Sequence, residues 1–430
     1  MAEPCRPTTG GTSRARRAQG ERRDAVPGHA SPARSERKAP GSPGHGTVRR
    51  RARALVAAGV LLAAGGCAEP PPDTTSRDVK RTLDGRATAV LRHDEAGYLA
   101  VLDAKLRPAG RQEFANLADM PLRSWEYRLT GVRRSGDRAT ADAELRYRLD
   151  GYDSAPVTTA RTLELAVRDG RWYVTGDRAG EGGAQQLWQQ GDVRVVRGTR
   201  SLVLGTGGDL ARLRRIAADA DRAVPEVSAA WPGRWAGRVV VLVPDSLEAM
   251  GRLLGAPAEG YRGMAAVTTG SAERVIVNPE AYDTLSAFGR GLVLAHETTH
   301  VATRADTSPT TPMWLSEGFA DWAAYRATPR PAAEAAPALH RAVRAGGAPI
   351  ALPADADFRF GADAEGLGRA YEGAWLACEL IAERHGDAAL TDLYRAVPRQ
   401  GLDDALREVL GTSRAAFTAE WRAYLRTRLA

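Results

Sequence analysis

Cysteine is scarce in this 430-residue chain. There are three, Cys5, Cys67 and Cys378, with no C-x-x-C among them, which excludes a disulfide framework and a thiolate metal knuckle. Cys378 falls in an apolar helical pattern (Ala374, Trp375, Leu376, Ala377) and reads as a buried structural thiol. Long apolar runs are also missing. The most apolar stretch, residues 54–64, is too short to span a bilayer. No Gly-Lys-Ser/Thr accompanies Gly205-Thr206-Gly207-Gly208, so that stretch is a plain loop and no phosphate cradle. Lysine is rare beside abundant Arg, Ala and Gly, a bias of composition that carries no function. The surplus of basic charge is local as well. Residues 1–66 carry a net +9 of the overall +8, leaving about −1 for the rest, so nothing points to a nucleic-acid partner.

The length suits two or three domains once targeting sequence is set aside. Residues 1–47 are rich in Pro, Gly, Ser and Arg without apolar periodicity and read as a disordered leader. Arg49-Arg50-Arg51-Ala52-Arg53, the apolar run and Gly65-Gly66-Cys67 then have the layout of a secretory signal. The segment Leu61-Leu62-Ala63-Ala64-Gly65-Gly66-Cys67 resembles a bacterial lipobox, with Ala64 where Leu is usual. That resemblance implies cleavage before Cys67, lipidation of Cys67 and a chain anchored at the outer face of the cell membrane. The stretch before Val48 is long for the charged region of a signal, which points to a translation start at Val48. Residues 67–78 form a Pro-rich tether.

Residues 79–182 read as an α+β domain. An amphipathic stretch over 79–106 predicts one or two helices, with Leu83, Val90, Leu99 and Leu102 along the apolar side. Alternation then predicts antiparallel strands through Leu145, Tyr147 and Leu149 and through Leu163, Leu165 and Val167, with Asp169-Gly170 as a hairpin turn. This order resembles an NTF2-like domain, a curved sheet around helices. His93 stands alone and no convergent set of ionisable residues is visible, so a spacer, docking or regulatory role is expected. Residues 180–191, rich in Gly and Gln, read as the boundary to a second region, 192–430.

That region predicts strands over 199–206, 238–244, 263–269 and 274–278. It predicts helices over 210–231 and 247–254, and one starting near Ser286 that carries His296-Glu297-Thr298-Thr299-His300. Two histidines four apart share a helix face and can point two imidazoles at one metal ion, with Glu297 beside them to handle water. A catalytic zinc needs a third ligand from elsewhere and an open position. Glu317, on the next helix behind Pro312, is the candidate. Asp321, one turn further, can accept the free N–H of a ligating imidazole. Glu297 is the expected general base. His340 and His385 are read as non-ligands.

His296-Glu297-x-x-His300 and Trp314-Leu315-Ser316-Glu317-Gly318-Phe319-Ala320, with Ala370-Tyr371-Glu372-Gly373-Ala374 and Glu420-Trp421-Arg422 later, resemble the gluzincin metallopeptidases of the peptidase MA-like group, related to thermolysin and the aminopeptidase catalytic domains. The resemblance implies a two-lobed catalytic domain, a strand-containing lobe and a helical lobe with the motif helix on the floor of the cleft. It implies Zn2+ on His296, His300 and Glu317 with Glu297 catalytic, a substrate-pairing edge strand near 264–269, and Tyr371 as a donor to the oxyanion. No amine-binding motif of the aminopeptidase type is present, which favours an endopeptidase acting on a peptide or protein substrate. A zinc hydrolase of a non-peptide amide, such as a cell-wall crosslink, would use the same ligands. A non-catalytic peptide- or metal-binding module is the third reading, and the intact Glu297 argues against it. The sequence leaves the oligomeric state open.

Overall fold

Period-two burial builds the first sheet. In β2 (Arg138–Leu149) Ala139, Ala141, Ala143, Leu145, Tyr147 and Leu149 all point inward, while the residues between them are partly or fully exposed. The computed structural model that shows this describes residues 74–207, 209–269, 273–326, 330–359 and 363–430; Cys67 and the leader lie outside them. Three helices come first: α1 (Thr75–Leu91), α2 (Glu95–Ala100) and α3 (Arg107–Ala118). The antiparallel meander follows as β1 (Leu122–Ser135), β2, β3 (Val157–Arg168) and β4 (Arg171–Ala179), in that spatial order. Asp169 and Gly170 both take positive φ, 49° and 71°, as a tight two-residue hairpin turn requires. The α+β order expected of this region is what folds. α1 starts at Thr75, inside the stretch read as tether, and α3 was not anticipated.

Residues 180–191 are not an exposed linker. Leu187 and Trp188 are buried, and Trp188 packs against Trp125 and Tyr147 with ring centroids 5.4 and 5.2 Å away. The Gly and Gln around them form turns, but the Leu-Trp pair between is core. The same apolar core runs on from Leu83, Leu145 and Trp188 to Leu202, Leu204, Val240, Met250 and Ile276 on one face of the second sheet. The two regions therefore share one core.

The second sheet holds β5 (Val193–Arg197), β6 (Ser201–Thr206), β7 (Val239–Val243), β8 (Ala266–Thr268) and β9 (Arg274–Val277), in the order β5-β6-β7-β9-β8. β6, β7 and β9 run parallel, and the two edge strands pair antiparallel. α4 (Leu210–Ala230) crosses between β6 and β7, and α5 (Leu247–Leu254) follows β7. β5 went unpredicted, being a short edge strand with arginines among its valines. The strand expected over 199–206 is β6, which Gly205 and Thr206 close.

Beyond the sheet the chain is helical: α6 (Pro279–Tyr282), α7 (Ala287–Thr303), α8 (Met313–Arg326), α9 (Ala332–Ala335), α10 (Pro337–Arg344), α11 (Ala364–His385), α12 (Asp387–Gln400), α13 (Leu402–Leu410) and α14 (Arg414–Arg428). α7 lies between the layers. Leu292, Val293 and Leu294 share a core with Ala265, Ala266, Val275 and Val277 of the sheet and Ile216 and Val224 of α4. α8 and α11 bring a separate core of Trp314, Phe319, Trp375, Tyr394 and Trp421. Gly318 lets α8 approach α11: a Cβ there would lie 2.3 Å from the Ala374 carbonyl oxygen. Among the described residues no helix is long and apolar enough to cross a membrane.

Candidate metal centre

Ser286 caps α7, its hydroxyl accepting from the Gly289 N–H at 3.1 Å, and this fixes the helical phase of the motif. His296 and His300 then fall one turn apart on the side facing α8, where Glu317 sits in the second turn. The three candidate donor atoms form a near-equilateral triangle. His296 Nε2 and His300 Nε2 are 3.1 Å apart, and Glu317 Oε2 is 3.3 Å from the first and 3.4 Å from the second.

That triangle can be tested against zinc. Tetrahedral bonds of about 2.0–2.1 Å require ligand atoms about 3.3–3.4 Å apart, close to the edges found. The donors are also the kind that a cation needs. Glu317 is fully buried, neither carboxylate oxygen makes a hydrogen bond, and its only ion-pair partners among the described residues are the two histidines. Burying such a group without compensation is costly. Two imidazoles, a carboxylate and no competing lysine or arginine fit a divalent zinc well.

Asp321, one turn after Glu317, lies 2.8 Å from His296 Nδ1. An ionised carboxylate only accepts, so Nδ1 carries the proton and Nε2 turns its lone pair into the triangle. The electrostatics agree. Burial disfavours the His296 imidazolium, yet Asp321 and Glu317 hold its pKa well above the ordinary range. Burial likewise pushes Glu317 up, but the adjacent His300 and His296 pull it down to about 2.

Glu297 is 1% exposed, and burial raises its pKa against the pull of the imidazoles. Thr268 of β8 donates to Glu297 Oε2 at 2.7 Å. Tyr371, on α11, is buried with its ring centroid 6.5 Å from that of His296, and its hydroxyl has no hydrogen-bond partner within normal distance among the described residues. Burial, aided by the nearby Glu317 and Asp321, raises its pKa far above the usual tyrosine range, so it stays a donor.

Six of the residues picked out from sequence therefore meet in one place: His296, Glu297, His300, Glu317, Asp321 and Tyr371. Cys67 falls outside the described residues. His93 is exposed, His385 is exposed and His340 is half-buried, none of them in the cluster. Two things were missed. Thr268 carried no signal, since a threonine in a short strand looks like any other. The expectation that the first region holds no convergent ionisable set is corrected. Arg86, Arg161, Asp177 and Glu113 form a buried network there, with Arg86 Nη1 2.7 Å from Asp177 Oδ2 and Arg161 Nη2 2.6 Å from Asp177 Oδ1. They come from four separate elements, which periodicity cannot connect.

No family model matches the chain, and no curated protein matches it. Among solved structures it is similar to the M1 zinc metallopeptidase from Deinococcus radiodurans, at 16% identity and a TM-score of 0.32, over 68% of this chain and 61% of that one. It is similar to yeast LTA4 hydrolase in complex with bestatin at 16% identity and a TM-score of 0.32, over 55% of this chain and 38% of that one. A function-unknown protein from Mycobacterium tuberculosis matches at 15% identity and a TM-score of 0.22, over 24% of this chain and 70% of that one.

Proposed function

We propose that the chain is a zinc-dependent peptidase of the gluzincin type that hydrolyses peptide bonds with Glu297 as general base. One observation carries this reading: two imidazole nitrogens and an orphaned, fully buried carboxylate converge at 3.1–3.4 Å, with Asp321 fixing the tautomer of His296. Zinc supplies Lewis acidity to such a site, polarising a carbonyl and acidifying water.

The chain's own residues do the rest. Glu297, next to His296 on α7, accepts the proton of the attacking water and returns it to the leaving amine. Its raised pKa suits both transfers. Tyr371 keeps its proton and offers an unused hydroxyl to the oxyanion as the carbonyl turns tetrahedral. β8 is an edge strand, paired on one side by β9, and an extended peptide added to its outer side would run past Glu297. A lipid on Cys67 would hold this activity at the outer face of the membrane, where the substrate would be an exported peptide or protein.

The test is zinc content and cleavage of a peptide library by the mature chain and by Glu297→Gln. The variant is expected to keep its zinc and lose nearly all turnover. A zinc-loaded wild type that cleaves no peptide in the library would overturn the reading.

A further inference from the structure

We propose that Thr268 is a positioning residue for Glu297, and that the first region of the chain holds it in place through the buried Asp153–Arg274 pair. This rests on the reading of Glu297 as the general base.

A glutamate has three side-chain torsions, and a base must be held close to the productive geometry to be useful. Thr268 removes that freedom. It is buried, and its hydroxyl lies 2.7 Å from Glu297 Oε2 and 3.0 Å from the Glu297 backbone carbonyl oxygen. One carboxylate oxygen is thus tied to the strand along which a substrate would lie.

Thr268 is itself anchored. It pairs with Val275 across β8–β9, and the next residues close the pairing: Thr269 N–H donates to the Arg274 carbonyl at 2.9 Å, and Arg274 N–H to Thr269 Oγ1 at 3.2 Å. The Arg274 side chain leaves the sheet and meets Asp153, just after β2 of the first region. Its two guanidinium nitrogens reach the two carboxylate oxygens at 2.6 and 2.8 Å, and both side chains are 4% exposed. Asp153 also accepts the Leu149 N–H at 2.6 Å, which ties it to the end of β2. A bidentate pair of this kind fixes angle as well as distance. Polar contacts joined by the Thr268–Thr269 peptide link therefore lead from the first sheet to the carboxylate of Glu297, and they give the first region a part in building the active site.

The experiment uses the full mature chain and four variants: Thr268→Val, Thr268→Ser, the double replacement Asp153→Leu with Arg274→Met, and all three sites together as Val, Leu and Met. The paired replacement avoids a lone buried charge, which would threaten folding. Thr268→Val is expected to lower kcat about 10- to 100-fold, as loss of an orienting partner does, with KM within about 2-fold and zinc content unchanged. Thr268→Ser is expected to recover kcat to within about 3-fold of wild type. Removing the ion pair should lower kcat in the wild-type background and add nothing in the Thr268→Val background. Unchanged kcat in Thr268→Val, or equal losses from the ion-pair replacement in both backgrounds, overturns the proposal. If the wild type cleaves nothing, the peptidase reading fails by itself. The positioning claim is then decided by crystal structures of the zinc-free proteins: a Glu297 carboxylate in the same place in Thr268→Val as in wild type overturns it.

Discussion

Two clusters of ionisable residues, one in each region, are satisfied in opposite ways. In the first, two arginines meet two carboxylates. Arg86 reaches Asp177, Tyr98 and Glu113, Arg161 grips Asp177 with two nitrogens, and the formal charges cancel. In the second, the ion-pair partners of Glu317 and Asp321 among the described residues are histidines, and the donor atoms converge without bonding one another well. Burial is deepest in the second, where Glu317 is 0% exposed against 18% for Glu113 and 12% for Asp177 in the first. A cluster that closes on itself is a structural brace, and one whose lone pairs converge is incomplete without a cation. The pattern of satisfaction, more than burial or a shifted pKa, separates scaffold from site.

The largest expected effect comes from removing the convergence. Glu317→Ala should lose its zinc on dialysis, read by elemental analysis, and turnover should fall about 1,000-fold or more, equivalent to several kcal/mol of transition-state stabilisation.

Breaking the closed cluster should do the reverse. Arg86→Met leaves Asp177 and Glu113 buried with less compensation and is expected to cost about 3–5 kcal/mol of stability in urea unfolding. Zinc stoichiometry should not change. Loss of zinc from the folded variant would mean that the two clusters are not separable.

What could be read from sequence follows the range of the contacts. His296, Glu297 and His300 lie within one helical turn, and the Ser286 cap sets their phase, so local rules suffice. The α5 bounds, the β7 run and the Asp169-Gly170 turn are local in the same sense. Glu317 needed only the next helix. Thr268 meets Glu297 across 29 positions, through a strand whose side-chain directions depend on the sheet around it. Arg86 and Asp177 are 91 apart. The Gly- and Gln-rich stretch before β5 reads as a boundary from its composition, and its Leu187 and Trp188 are buried through contacts that lie far off in sequence.

A smaller effect separates holding the metal from orienting a ligand. Asp321→Asn leaves an oxygen that can still accept from His296 Nδ1 but removes the charge behind it. Zinc affinity, measured by competition with a chromophoric chelator, should fall about 10- to 100-fold. A loss as complete as that of Glu317→Ala would make Asp321 a ligand in its own right.

The smallest effect concerns a third way of satisfying a buried carboxylate. Glu372, beside Tyr371, accepts the N–H groups of Ala338 and Leu339 at 3.1 and 2.5 Å at the N-terminus of α10, and the Arg341 guanidinium adds a weaker pull. Burial outweighs these bonds and raises its pKa to about 7. The unfolded value is about 4.3, so the native state holds the proton more tightly. Stability from this group is then fully present below about pH 4 and is lost as pH rises towards 7. Glu372→Gln cannot titrate, so its melting temperature minus that of wild type should climb between about pH 4.5 and 7.5 and then level off. A difference that stays flat across that window would mean that two backbone N–H groups, with Arg341 nearby, keep a buried carboxylate ionised. A helix N-terminus would then rank with the arginines of the first cluster as a full partner for buried negative charge.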